Sequence, residues 1–382
     1  MTPDELLAYL KSQKWFFGVR ADASLLFYSS KQEGVRRHVK DMHGLDFAET
    51  LLAPLNGQPV RVINVEQAKA FHEVSLAKVK EDPFILSARI KENDKLWVRI
   101  ARECEALDRA VKAGDEPAAI EAYKEVSASY AETGAQFIVI FSLGLKLTEL
   151  NAVRSTRYEG VLAQHDAWRN QVALKEELMG ESWYDFFVFM AERRRLESSA
   201  LDLMRYLSLI EVLSFLDGVG GYVDDVVRTR QRQGFVYHDS HDERRVIDDA
   251  ELIARIEAQF SSPESVSQPT DGTLKGQTAF VGPGSIKGEV VVIESKEDLE
   301  SKKDLIAGKI LVAIQTTPHY IPYLKDVKAI ITDEGGITCH AAILSREMKI
   351  PCIVGTKNAT SVLNDGDMVE LDLEEGSVNK LR

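Results

Sequence analysis

The stretch from Asp333 to Gly355, DEGGITCHAAILSREMKIPCIVG, decides how the C-terminal part of the chain is read. It follows Ala329-Ile330-Ile331-Thr332, a short apolar run with the character of a buried strand. Asp333, Glu334, Gly335 and Gly336 then have the composition of a turn. Paired glycines let the backbone bend sharply and leave open access for a bulky group. Thr338 is a good N-cap residue, which places His340 in the first turn of a helix reaching to Met348. At that position free backbone N–H groups and the helix dipole favour negative charge. A neutral imidazole there is a nucleophile whose phosphorylated product the helix end would hold. An unperturbed histidine titrates near pH ~6.5, so much of it is unprotonated at neutrality. The small Ala341 and Ala342 leave space around the ring. The plainer alternative is a histidine that caps a helix or fills a surface turn.

Working outward, GEVVVIES, GKILVAIQ, KAIITD, PCIVG and MVELDL are short strand-like runs, with helical candidates at Pro318–Val327 and Thr338–Met348 between them. Strands alternating with short helices predict a compact α/β domain over residues 276–382. Upstream, SSPESVSQPTDGTLKGQ is rich in Ser, Pro, Thr and Gly, and a flexible linker is expected over 261–275. Residues 1–260 read as mostly α-helical. Trp97–Gly114 and Asp115–Gly134 place apolar residues three and four apart, with Gly114 and Gly134 where C-caps would stand. Trp183–Gln233 continues in the same manner, with a broad apolar face. Strand-like runs are scarce here. Trp15–Ser30, WFFGVRADASLLFYSS, is the main exception and has room for a short hairpin. The expected fold is therefore multidomain, a helical N-terminal region followed by a compact α/β domain.

Over 382 residues the hydrophobic content is 45% and the charged content 28%, a globular composition with enough apolar side chains for real cores. The formal charge of −13 argues against nucleic acid and against anionic membranes as partners. Residues 276–382 are acidic too, with 12 Lys and Arg against 16 Asp and Glu. Cys104, Cys339 and Cys352 are too few for a disulfide framework and fit a reducing compartment. The N-terminus lacks the apolar core of a signal peptide. The most apolar run, Ala135–Leu145, is too short to span a bilayer and reads as buried helix. A cytoplasmic protein is expected.

The string TDEGGITCHAAILSREMKIPCIVGTKNAT closely resembles the phosphohistidine signature of the swivelling domain in phosphoenolpyruvate-utilising enzymes, among them phosphoenolpyruvate synthase, pyruvate phosphate dikinase and rifampicin phosphotransferase. FVGPGSIKGEVVVI resembles that family's opening hairpin, GKILVAIQTTPHYIPYLKDVKAIITD its central strand-helix-strand, and LNDGDMVELDLEEGSV its closing strands. The resemblance covers about Lys275 to Leu381. It implies that His340 accepts a phosphoryl group and hands it to a second site. It implies that Thr338 helps hold that group and that Gly335 and Gly336 are the glycine pair. Arg346 matches the basic residue of the following helix, where pairing with Glu347 or a partner's surface is an equal alternative. Cys339 stands where many relatives carry serine.

Rival readings are weaker. Adjacent Cys339 and His340 cannot easily aim at one zinc ion with Cys352, and no fourth ligand is spaced for a closed site. His238, Asp239, His241, Asp242 and Glu243 in YHDSHDE look more like a metal cluster, but a polar loop explains them as well. Gly282, Pro283, Gly284 and Gly288 have some likeness to a dinucleotide fingerprint, against which Pro283 and the hairpin context argue. Gly218, Gly220 and Gly221 read as a kink or helix end, and His319 as a surface residue or one approaching a partner site. No metal site is expected. No P-loop is present, and neither a nucleotide-grasping fold nor a phosphoenolpyruvate-binding barrel is legible. The resemblance thus implies a carrier component, standalone or split. ATP and Mg would sit on a separate ATP-grasp subunit, and a small molecule would be the phosphoryl acceptor. The alternative is a non-catalytic interaction or regulatory protein that keeps the fold.

Overall fold

The computed structural model describes the chain except for residues 1, 14, 21–23, 48, 56–57, 155–157, 220–222, 241–243, 261–272, 282–284, 295, 317, 336–339, 357 and 382. Contacts divide it into two units, Met1–Ser261 and Ser262–Arg382. The first contains, in chain order, α1 (Pro3–Ser12), β1 (Trp15–Arg20), α2 (Leu25–His43), β2 (Thr50–Leu55), β3 (Gln58–Asn64), α3 (Val65–Glu81), α4 (Ile85–Ala113) and α5 (Glu116–Arg154). It continues with α6 (Glu159–Arg194), α7 (Ala200–Tyr206), α8 (Leu209–Leu216), α9 (Val223–Gln233), β4 (Val236–Asp239), β5 (Arg244–Ile247) and α10 (Ala250–Phe260).

The helical expectation holds for α4 to α9, and the periodicity shows why. On α4, Leu86, Ile90, Trp97, Ile100, Cys104 and Leu107 are all buried, one stripe of a helix. They join Tyr123, Trp183, Phe186 and Phe187 in one core, where Tyr123 stacks on Phe186 with ring centroids 4.5 Å apart. Gly114 does end α4, with φ +70° and its N–H donating to the carbonyls of Ala110 and Val111. Gly134 does not end a helix; it lies inside α5. A Cβ there would come within 2.4 Å of the Lys31 carbonyl oxygen on α2, and one at Gly34 within 1.5 Å of the Ala131 carbonyl oxygen. These glycines let two helix backbones touch, a use of glycine that looks like a helix stop in the sequence.

The second correction is a five-stranded antiparallel sheet in the order β1-β3-β2-β4-β5. The expected hairpin within Trp15–Ser30 does not form. Trp15–Arg20 pairs with β3, and from Leu25 the chain is helix, started by Ser24, whose side chain accepts from the Phe27 N–H. Strands β4 and β5 come from the polar stretch around His238, nearly the whole unit away in sequence from β2.

The second unit is built from β6 (Thr273–Lys275), β7 (Gln277–Phe280), β8 (Ile286–Ile293), α11 (Lys296–Lys302), β9 (Ile310–Ala313), a 3-10 turn at Pro318–Tyr323, β10 (Ala329–Thr332), α12 (His340–Met348), β11 (Cys352–Val354), α13 (Ala359–Val362), β12 (Met368–Asp372) and β13 (Ser377–Lys380). Its eight strands run in the order β6-β13-β12-β8-β9-β10-β11-β7. The neighbours β8, β9, β10 and β11 are parallel. The two edge strands, β6 and β7, are separated only by Gly276, so the sheet curls until its edges meet. At that meeting point the Gly276 N–H donates to the Gly376 carbonyl at 2.8 Å, and a Cβ would lie 2.6 Å from the Val354 carbonyl oxygen.

Strand alternation sorts the side chains into two cores. Val290, Val292, Ile310, Val312, Ala329, Ile331 and Ile353 face one side with Val369, Leu371 and Val378. Val291, Ile293, Leu311, Ala313, Ile330, Cys352 and Val354 face the other, under Leu299, Tyr320, Leu324, Ala341 and Leu344. Burial on both faces is what near-continuous apolar runs indicate. Three expectations need correction here. Thr273–Lys275, at the end of the expected linker, is a strand. The expected opening hairpin is not one, since β7 pairs with β11 while β8 pairs with β9 and β12. The helix expected over Pro318–Val327 is a 3-10 turn ending at Tyr323, because Pro322 inside it removes a backbone donor. Among the described residues, no helix of either unit is long and apolar enough to cross a membrane.

Candidate functional site

Parallel strands β9, β10 and β11 end at one edge of the second unit's sheet, where ligands meet open α/β sheets. The chain leaving β10 turns there. Thr332 and Asp333 are buried, Gly335 is exposed, and Gly335 has φ +103°, a backbone region that only glycine enters freely. Helix α12 then begins at His340. Of His340 the structure describes the backbone, and Gly336, Thr338 and Cys339 lie outside the described residues. The expected strand, turn and helix through His340 are therefore observed, while the start of the helix and the capping role of Thr338 lie outside the described residues.

Ala341 and Ala342 are buried in the core beneath α12. Their small size lets the helix lie close on the sheet; the space around the ring lies outside what is described. Arg346 is exposed, six residues along α12. At ~100° per residue that places it roughly 120° round the helix from His340. The structure does not put these two positions on one helix face.

Contacts from the segment after β11 were not foreseen. The Thr356 N–H and hydroxyl both donate to the Thr332 carbonyl at 3.0 Å, and the same hydroxyl lies 3.3 Å from Asp333 Oδ1. The Thr360 N–H donates to Asp333 Oδ1 at 3.0 Å, and its hydroxyl donates to Asp333 Oδ2. The N–H groups of Asp333 and Glu334 donate to the carbonyls of Ala313 and Ile314, at 3.1 and 2.9 Å, which ties the turn to the end of β9 as well. Gly355 has φ +73°, and a Cβ there would stand 2.7 Å from the Gly335 carbonyl oxygen. The turn before α12 is thus gripped from both neighbouring strands. The only sequence signal for the second grip was the phrase IVGT itself, a strand followed by glycine and a hydroxyl residue.

The rival sites resolve differently. Cys352 is fully buried on β11, in the core under α12. His238 is buried on β4, with its Nε2 hydrogen-bonded to Glu49, whose other oxygen accepts from the Tyr9 hydroxyl at 2.5 Å. Asp239, next along the strand, faces the opposite side, so these two residues cannot share an ion. Burial pushes the Asp239 carboxyl up to about 7, opposed by Arg36 3.9 Å away. Among the described residues no group of three or more metal-ligating side chains comes together. His241, Asp242 and Glu243 lie outside those residues, as do Gly282, Pro283 and Gly284, and so do Gly220 and Gly221. Gly218, with φ +81°, follows the end of α8, as a helix-end glycine should. His319 falls in the 3-10 turn after β9.

Residues 305–376, within the second unit, match the family of the PEP-utilising enzyme, mobile domain. A probable phosphoenolpyruvate synthase of Archaeoglobus fulgidus is 45% identical over 30% of this chain and 15% of its own length. One from Methanothermobacter thermautotrophicus is 48% identical over 35% of this chain and 24% of its own. Among solved structures, Thermococcus kodakaraensis aconitase X in its holo-form is 28% identical, with a TM-score of 0.24, over 30% of this chain and 100% of that one. The chain spans less than a quarter of the length of the two synthases it matches.

Proposed function

We propose that this chain, whose residues 305–376 match the mobile domain of phosphoenolpyruvate-utilising enzymes, is the phosphohistidine carrier of a phosphotransferase, with His340 as the phosphoryl-accepting nucleophile. The observation that carries this reading is the place of His340 on α12, five residues after the gripped turn at Asp333–Gly335, at the carboxyl edge of the parallel strands. A helix start offers unpaired N–H groups to an anion. In the first step an imidazole nitrogen bonds to phosphorus as the donor's P–O bond breaks. In the second, an acceptor oxygen takes the phosphoryl group as the N–P bond breaks, which returns the neutral imidazole. ATP and Mg on an ATP-grasp partner, or phosphoenolpyruvate, is the donor in this reading, and a small molecule is the acceptor. In this reading Thr338 helps hold the phosphoryl group, Gly335 and Gly336 are the glycine pair that gives it access, and Arg346 serves the surface that meets a partner.

The test is the chain isolated from its own cells and kept at alkaline pH. The expected result is a phosphate on His340 that survives base, is lost in acid, and is missing from His340→Ala. Stoichiometric recovery of unphosphorylated chain from cells and from mixtures with ATP, phosphoenolpyruvate and cell extract overturns the carrier role. That outcome leaves the non-catalytic interaction protein as the better reading.

A further inference from the structure

We infer that Asp333 is a positioning residue for the turn that leads to His340, acting through Thr356 and Thr360. This rests on the carrier reading and adds to it the group that sets the geometry of the carrier site.

Asp333 is 3% exposed, and a buried carboxylate is costly unless donors surround it. Among the described residues the Thr360 N–H and the Thr360 hydroxyl donate to it, and the Thr356 hydroxyl, shared with the Thr332 carbonyl, lies 3.3 Å away. All three come from the far side of a neighbouring strand, 23 to 27 residues on. Backbone pairing already joins the exits of β10 and β11, because the Thr356 N–H donates to the Thr332 carbonyl. The carboxylate adds a second fastening four residues later, at the start of α13. Next to the first fastening, Gly355, bare of a side chain, backs onto the Gly335 carbonyl. Gly335 has φ +103° and stands five residues before His340. The Asp333 carboxylate, Thr356, Thr360 and Gly355 thus hold the Gly335 end of the turn that leads to α12. Asp333 does not touch the reacting atoms in this account. It fixes where they stand, and misplacement by ~1 Å can cost about a hundredfold in rate.

The experiment uses the whole chain and potassium phosphoramidate, a small donor that phosphorylates imidazole with release of ammonia and needs no partner. Formation of phosphohistidine is followed by 31P NMR against donor concentration. The variants are Asp333→Asn, Thr360→Val, which keeps shape but removes the hydroxyl, and Thr360→Ser, which restores it. Val369→Ala, a core truncation on β12, serves as a control for lost stability. Asp333→Asn and Thr360→Val are expected to lower the maximal rate about tenfold or more at an unchanged half-saturating donor concentration. Thr360→Ser is expected to stay near wild type, and Val369→Ala to label normally despite a lower melting temperature. Wild-type rates in both Asp333→Asn and Thr360→Val, or an equal loss in Val369→Ala, overturn the inference and leave the carrier reading standing. A wild-type chain that never labels at His340 overturns both.

Discussion

Gly355 shows how much of this site is decided by single residues. Its φ of +73° is strained for any side chain, and its missing Cβ makes room for the Gly335 carbonyl 2.7 Å away. Gly355→Ala therefore combines a left-handed backbone cost with a clash against backbone. About 2–3 kcal/mol of stability should be lost from the second unit, read by urea unfolding, with slower labelling of His340. An alanine variant of wild-type stability would show that the turn does not rest on this segment. His43, the last residue of α2, gives a different single-residue test. Its Nε2 is 2.7 Å from Ser75 Oγ, which lies 2.7 Å from Ser142 Oγ, itself 2.6 Å from His72 Nδ1. The ring stacks on Phe71 at 3.7 Å, and burial, helped by nearby Lys78, pushes His43 down to about 4. Between the ordinary value of ~6.5 and about 4, the unfolded chain takes up a proton that the folded chain refuses. The first unit should thus lose stability as pH falls through that window and be indifferent to His43 above it. His43→Gln should flatten the slope there; an unchanged slope would assign the titration elsewhere. At this scale the sequence made legible the strand, the turn and the helix that carries His340, because glycine pair and helix stand in one short run. Asp333, Thr356 and Thr360 were not, because hydroxyl-to-carboxylate bonds across 23 to 27 residues leave no local pattern.

Among the elements, α2 and α5 cross most closely, and two glycines make that possible. In an exposed helix, Gly→Ala adds about 1 kcal/mol through propensity alone. At Gly134 the new methyl would meet the Lys31 carbonyl at 2.4 Å, and backbone cannot step aside as a side chain can. Overpacking of that kind costs roughly 1–3 kcal/mol, so the sign should reverse. Gly134→Ala is expected to lower the thermal midpoint of the first unit, and Gly34→Ala, at 1.5 Å from the Ala131 carbonyl oxygen, to lower it further. A rise at either position would mean that the helices do not cross there. Helices α4 to α6 were readable because their buried stripes repeat over many turns. The strands of the second unit were readable because burial on both faces writes them as unbroken apolar runs. The antiparallel sheet of the first unit was not. Its strands are four to seven residues long, and β4 reads VYHD, polar enough to pass for a loop. Only pairing with the distant β2, and the Glu49 and Tyr9 groups that satisfy His238, make it a buried strand.

At the scale of the whole molecule, the second unit has what independent folding requires. Its two end strands are joined through Gly276, and each face of the sheet carries its own buried cluster. A fragment covering residues 273–382 should therefore melt cooperatively by itself. In the intact chain, calorimetry should show two heat-absorption peaks, one of them near the fragment's own. Val369→Ala removes two methyl groups from a fully buried site and should cost about 2 kcal/mol. For a unit of this size each kcal/mol is worth roughly 4–8 °C, so that one peak should move clearly and the other stay in place. Gly134→Ala should do the reverse. Such a crossed pair of shifts fits the proposed role, in which the second unit would keep its fold while it travels between donor and acceptor. If both substitutions move a single merged peak, or if the fragment has no transition of its own, the second unit is not an independent body, and a carrier that moves as one piece loses its physical basis.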